Sequence, residues 1–124
     1  MEQLLLHLVG DYVTQTDWMA NEKTKRTWAA FCHALIYSIP FFLITQSPNA
    51  LFVIFASHLV IDRFRLARFV VFAKNWSTNQ KLTWNDCKGT GYPSAAPAWL
   101  SVWLLIVADN TMHLVINYLS IKYL

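Results

Sequence analysis

The residues of this sequence best suited to chemistry are its four histidines and the aspartates spaced from them. Asp11 follows His7 by four positions, Asp62 follows His58 by four, and Asp109 precedes His113 by four. His33 stands without such a neighbour. Residues four apart on a helix project from the same face, so each pair points at one spot. Imidazole and carboxylate are also the donors that bind zinc, manganese and iron. A single His-x3-Asp pair is ordinarily a hydrogen-bonded pair. Three of them with a further histidine, one set in each apolar stretch, point instead to a shared metal centre. The expected ligands are His7, Asp11, His33, His58, Asp62, Asp109 and His113. Seven donors exceed the four of one zinc ion, so one or two ions are expected, with a carboxylate bridging a pair. Zinc is the expected metal, with manganese or iron as alternatives.

The polar lines extend beyond these pairs. Gln3, His7, Asp11 and Gln15 step by four, as do Asp109, His113 and Asn117, and Tyr37 lies four after His33. Gln3, Gln15, Tyr37 and Asn117 are expected behind the ligands, orienting them or joining helices. Arg65, seven after His58, shares its face, and its planar fork suits a phosphate oxygen. An ion pair with Asp62 is the other use for it. Asp11 or Asp109, if not bound to metal, is the candidate general base. Gly89-Thr90-Gly91 matches no phosphate loop.

Elements that could position these donors follow from the apolar pattern. Hydrophobic residues make up 56% of the 124 residues and charged residues 14%, against roughly 45–50% and 25% in soluble domains. Four apolar segments stand out: Gln3–Met19, Trp28–Ile44 with Pro40 as a kink, Ala50–Ile61 running on as a basic amphipathic stretch to Lys74, and Ala98–Leu119. The expected fold is all-α, a single domain over residues 1–124, forming a transmembrane bundle of about four helices. A soluble bundle is the alternative, because no segment is apolar for twenty uninterrupted residues. An aspartate at the centre of a membrane helix costs roughly 2.5–3.5 kcal/mol, so polar lines of this kind must meet in the interior.

Lys23, Lys25 and Arg26 fall between the first two segments, and Arg63, Arg65, Arg68, Lys74, Lys81 and Lys88 between the last two. Only Lys122 lies elsewhere. By the positive-inside rule, loops 21–27 and 75–97 are cytoplasmic and the chain is a multi-pass protein of a bacterial inner membrane. Trp18, Trp28, Trp76 and Trp99 then lie at the interface as anchors. Loop 75–97 is expected to be flexible. The Asn75-Trp76-Ser77 glycosylation match is discounted on this topology. A net charge of +3 with no basic stripe argues against nucleic acid. Cys32 and Cys87 fit neither a disulfide framework nor a cysteine zinc site. The first segment, carrying His7 and Asp11, reads as part of the fold and not as a signal peptide.

Several runs also resemble a family of small phage and bacterial membrane proteins of unknown function. They are His7-Leu-Val-Gly-Asp11-Tyr-Val-Thr-Gln15, His33-Ala-Leu-Ile-Tyr37, His58-Leu-Val-Ile-Asp62 and Ala108-Asp109-Asn110-Thr-Met-His113. The resemblance covers nearly the whole chain. More distantly, the His-x3-Asp pattern is similar to that of the LexA-regulated, membrane-bound, metal-dependent hydrolases, which are in turn similar to zinc-dependent phospholipase C. That similarity implies that the seven His and Asp residues are ligands.

Three functions are then open. The first is a membrane-embedded metal-dependent hydrolase acting on a phosphoester, such as a lipid headgroup or lipid phosphate. It would use metal-activated water, with Arg65 holding phosphate and Asp11 or Asp109 as base. The second is a non-enzymatic phage membrane effector with a structural metal. The third is an ion or proton relay in a small transporter, for which a homo-oligomer is expected.

Overall fold

The computed structural model describes residues 1–124 and is all-helical. The chain folds as two compact units, Met1–Phe64 with His113–Leu124, and Arg65–Met112.

In the first unit, the initial apolar segment is not one helix. Helix α1 covers Glu2–Leu8 and passes into a π-helical stretch, Val9–Val13. Helix α2, Asp17–Glu22, restarts behind Thr16, whose hydroxyl accepts from the amide of Met19 at 3.3 Å. This is an N-cap, satisfying a donor the helix would leave unpaired. Helix α3, Thr27–Ser38, ends at a 3-10 stretch, Ile39–Leu43, that contains Pro40. The proline removes an amide donor and cannot continue α-geometry, so the expected kink is realised as a change of helix type. Helix α4 covers Pro48–Phe64.

The core of this unit is Tyr37, Phe41 and Ile54, with Leu6, Ile44, Leu51 and Ile121 against it. Helix α3 buries Ala29, Ala30, His33, Ala34, Tyr37 and Ser38, and α4 buries Ala50, Ile54, His58, Ile61 and Asp62. Both sets trace one helical face. The small alanines let backbones approach closely enough for the larger polar side chains to meet. Gly10 serves the same end. A Cβ there would stand 2.5 Å from Tyr37 Cδ2 and 3.2 Å from Tyr37 Cα, so only glycine lets the π-helical stretch lie on α3.

The third segment does not run on to Lys74 as one helix. Arg65 has φ 52°, a left-handed conformation costly for a residue with a Cβ, and the chain restarts as α5, Ala67–Thr78. The second unit adds α6, Trp84–Cys87. The stretch expected to be a flexible loop is tied down there. Asn75 Nδ2 donates to the carbonyl of Gly91 at 2.9 Å and Arg68 Nη1 to that of Lys88 at 3.0 Å. Gly91 has φ 85°, and a Cβ on it would meet backbone of α5.

Helix α7, Ala98–Tyr123, belongs to both units, with His113 onward in the first. It alone is long and apolar enough to cross a membrane by length and composition. This corrects the expectation of four spans. Helices of 7, 12 and 17 residues fall short of or only touch the roughly 20 that a bilayer core requires, because Pro40, Arg65 and the π-helical stretch divide the apolar segments.

Candidate metal centre

Three elements of the first unit deliver four donors to one buried point. The π-helical stretch carries Asp11, α3 carries His33, and α4 carries His58 and Asp62 one turn apart. All four are buried. His33 Nε2 lies 3.0 Å from His58 Nε2, 3.1 Å from Asp11 Oδ1 and 3.3 Å from Asp62 Oδ2. His58 Nε2 lies 3.3 Å from both Asp11 Oδ1 and Asp62 Oδ2. The four residues offer atoms all within 4.8 Å of one another and can hold a metal ion.

Proton counting shows what such an arrangement lacks. An imidazole nitrogen carries one proton or one lone pair, yet His33 Nε2 faces three cluster atoms and the ammonium of Lys23 at 3.2 Å. His58 Nε2 faces three. No placement of single protons satisfies every one of these contacts, whereas one central cation uses all four lone pairs together. Behind the cluster, His33 Nδ1 and His58 Nδ1 have no hydrogen-bond partner. Packing orients His58 instead, with the Tyr37 ring stacked on it at 3.6 Å.

Of the remaining expected ligands, His7 and His113 lie in the same unit as this group. His7 Nε2 lies 3.5 Å from Asp11 Oδ2, and its Nδ1 meets the hydroxyl of Tyr37 at 2.8 Å. Asn117 Nδ2 donates to the same hydroxyl at 2.6 Å. Tyr37 is thus a hub joining α1, α3 and α7, as a residue behind the ligands should be. His113 Nε2 lies 3.2 Å from Asp62 Oδ1, so the two oxygens of Asp62 face different histidines. Asp109 sits half-buried on α7, one turn before His113, within the second unit. Gln3 Oε1 and Gln15 Oε1 are buried without hydrogen-bond partners.

Arg65 is not among these residues. It lies in the second unit, where its Nη2 donates to the carbonyl of Gly89 at 3.0 Å. The cation that does reach the donors is Lys23, whose Nζ is 2.7 Å from Asp62 Oδ2. Sequence reading passed over it because it sits among Lys25 and Arg26 in a charged turn and has no helical spacing to any donor. Gly10 was also missed, although a glycine inside a helical run, at a cost of about 1 kcal/mol, is a signal of close approach. Cys32 and Cys87 are both free thiols. Burial, with the Asp86 carboxylate beside it, pushes the Cys87 thiol pKa up, so it is no ready nucleophile.

The sequence matches a family described as protein of unknown function (DUF3307) over residues 1–123. The chain belongs to that family. The match takes in every donor described above, from His7 to His113, and the family description assigns no activity. No curated protein and no solved structure matched the chain.

Proposed function

We propose that this member of the DUF3307 family is a membrane-embedded, zinc-dependent hydrolase of phosphoesters, with a lipid headgroup or lipid phosphate as substrate. The observation that carries the metal is the spacing of Asp11 Oδ1, His33 Nε2, His58 Nε2 and Asp62 Oδ2. Five of their six separations fall between 3.0 and 3.3 Å. The edge of a tetrahedron with zinc-to-ligand bonds of about 2.0–2.1 Å is about 3.3–3.4 Å. Asp62 Oδ1 with His113 Nε2 offers the start of a second position. Water and a phosphate oxygen would complete the coordination of a metal held there. Metal there would lower the pKa of bound water and polarise the phosphoryl group, and no serine or cysteine nucleophile is required.

Membrane embedding draws support from the surface. Trp28, Phe31 and Leu35 on α3 are exposed, as are Ile39 and Phe42 on the 3-10 stretch and Phe52 and Val60 on α4. An apolar exterior around a charged interior is the reverse of a soluble domain's arrangement and fits a lipid solvent. Few of the residues of α7 that could span the bilayer are buried. This embedding, with the turn of residues 21–27 on the cytoplasmic side, is part of the same proposal.

Protein purified in detergent should contain zinc by elemental analysis and release phosphate or headgroup from phospholipid or polyprenyl phosphate. Chelator should abolish that release, and His58→Ala should abolish it in the presence of zinc. Turnover that survives both would eliminate metal-dependent hydrolysis. A second reading, a structural metal with no turnover, is favoured by the completeness of the four-residue set, since structural zinc sites are closed. It predicts that chelator unfolds the protein and that no phosphoester is cleaved.

A further inference from the structure

Lys23 does something in this site that spacing alone did not foreshadow. It caps the C-terminal end of α2, in a turn whose other basic residues are occupied elsewhere. Lys25 Nζ lies 3.4 Å and Arg26 Nε 3.0 Å from the carboxylate of Glu22. Lys23 alone turns inward, its side chain 19% exposed, to reach Asp62 Oδ2 at 2.7 Å and His33 Nε2 at 3.2 Å. Both atoms belong to the four-donor set. An ammonium has donors only, so its bond to His33 engages the lone pair that a metal would use.

We infer that Lys23 is the internal cation of this site, holding two of its four donors, and that a divalent metal enters only as the Lys23 side chain swings out. The inference rests on the metal reading above and adds an exchange to it. Two buried carboxylates need positive charge whether or not metal is bound. Lys23 supplies part of it in the metal-free state, and a divalent ion supplies it when loaded. The two cations cannot share the same lone pairs. The backbone need not move. Arg63 Nη1 donates to the carbonyl of Thr24 at 2.9 Å and Arg63 Nε to the hydroxyl of Thr27 at 3.3 Å, fixing the turn to α4. The flexible four-carbon stem of lysine is sufficient for the change.

The test uses full-length protein in detergent, stripped of metal and titrated with zinc against a chelating dye. Lys23→Met, close in length and uncharged, should bind zinc about tenfold or more tightly than the wild type, while Lys23→Arg should not. In parallel, acetylation of lysines by an amine-reactive reagent, read by mass spectrometry, should find Lys23 protected relative to Lys25 without zinc. Zinc should expose it. If zinc binds but Lys23→Met gains nothing, or Lys23 stays protected when zinc is bound, the exchange is overturned and the metal reading survives. If neither wild type nor Lys23→Met binds zinc, both fall together.

Discussion

The two units of this chain handle charge in opposite ways. In Arg65–Met112, Arg65, Arg68 and Lys74 each have partners of their own near the surface. Arg65 donates to the carbonyl of Gly89, Arg68 to that of Lys88 while lying over Phe69 and Trp84, and Lys74 to the hydroxyl of Tyr92. In the unit built from Met1–Phe64 and His113–Leu124, charge is buried and shared. Asp11 and Asp62 each face several histidines, and His33 faces two carboxylates, an imidazole and an ammonium. Pairs that are complete give local structure. A group whose members outnumber the protons available to link them is one that could hold a metal ion, and that difference marks the first unit as the candidate site.

The comparison breaks most readily at the donors. His58→Ala should weaken zinc binding by more than the roughly 10–100-fold typical of losing an outer partner, measured by dye competition. Unchanged affinity would mean that the four-residue set is not where metal binds. Arg68→Ala, in the other unit, should leave zinc affinity alone.

Glycines give the next largest contrast. Gly10→Ala drives a methyl into Tyr37 and should cost about 1–3 kcal/mol, lowering zinc affinity as Asp11 is pushed off α3. Gly91→Ala, at a positive φ and against α5, should cost about 1–2 kcal/mol without touching zinc affinity. Gly89→Ala meets nothing within 4 Å and should stay within about 0.5 kcal/mol. Thermal unfolding and zinc titration of the three variants separate the units. Equal loss of zinc affinity in Gly10→Ala and Gly91→Ala would contradict a metal site built from the first unit's residues.

Tyr37→Phe should follow. It removes the hydroxyl shared by His7 and Asn117 but keeps the ring stacked on His58, so zinc affinity should fall about tenfold. Arg68→Ala should cost about 0.5–1 kcal/mol of stability through its contacts with two aromatic rings, leaving Gly89→Ala as the smallest effect.

The helical fold and the meeting of buried His and Asp could be read directly from spacing, because residues four apart must share a helix face. His58 with Asp62 shows this well, both ending on the buried side of α4. Continuity of the helices could not be read the same way. The breaks at Val9–Val13 and Arg65 occur inside runs whose apolar pattern continues unbroken, since a π-helical turn or one left-handed residue leaves composition unchanged. For the same reason the number of long spans was overstated.

By itself, then, the sequence determined the kinds of donor, their helical faces and the apolar exterior, all consequences of residue type and local period. Only the tertiary structure decided which donors converge. It drew Asp11, His33, His58 and Asp62 together, assigned Arg65 to the other unit, and brought in Lys23 from a turn with no periodic relation to any of them. Contacts between residues distant along the chain depend on where whole helices cross, and that is set by packing at places such as Gly10 on Tyr37, which no local pattern records.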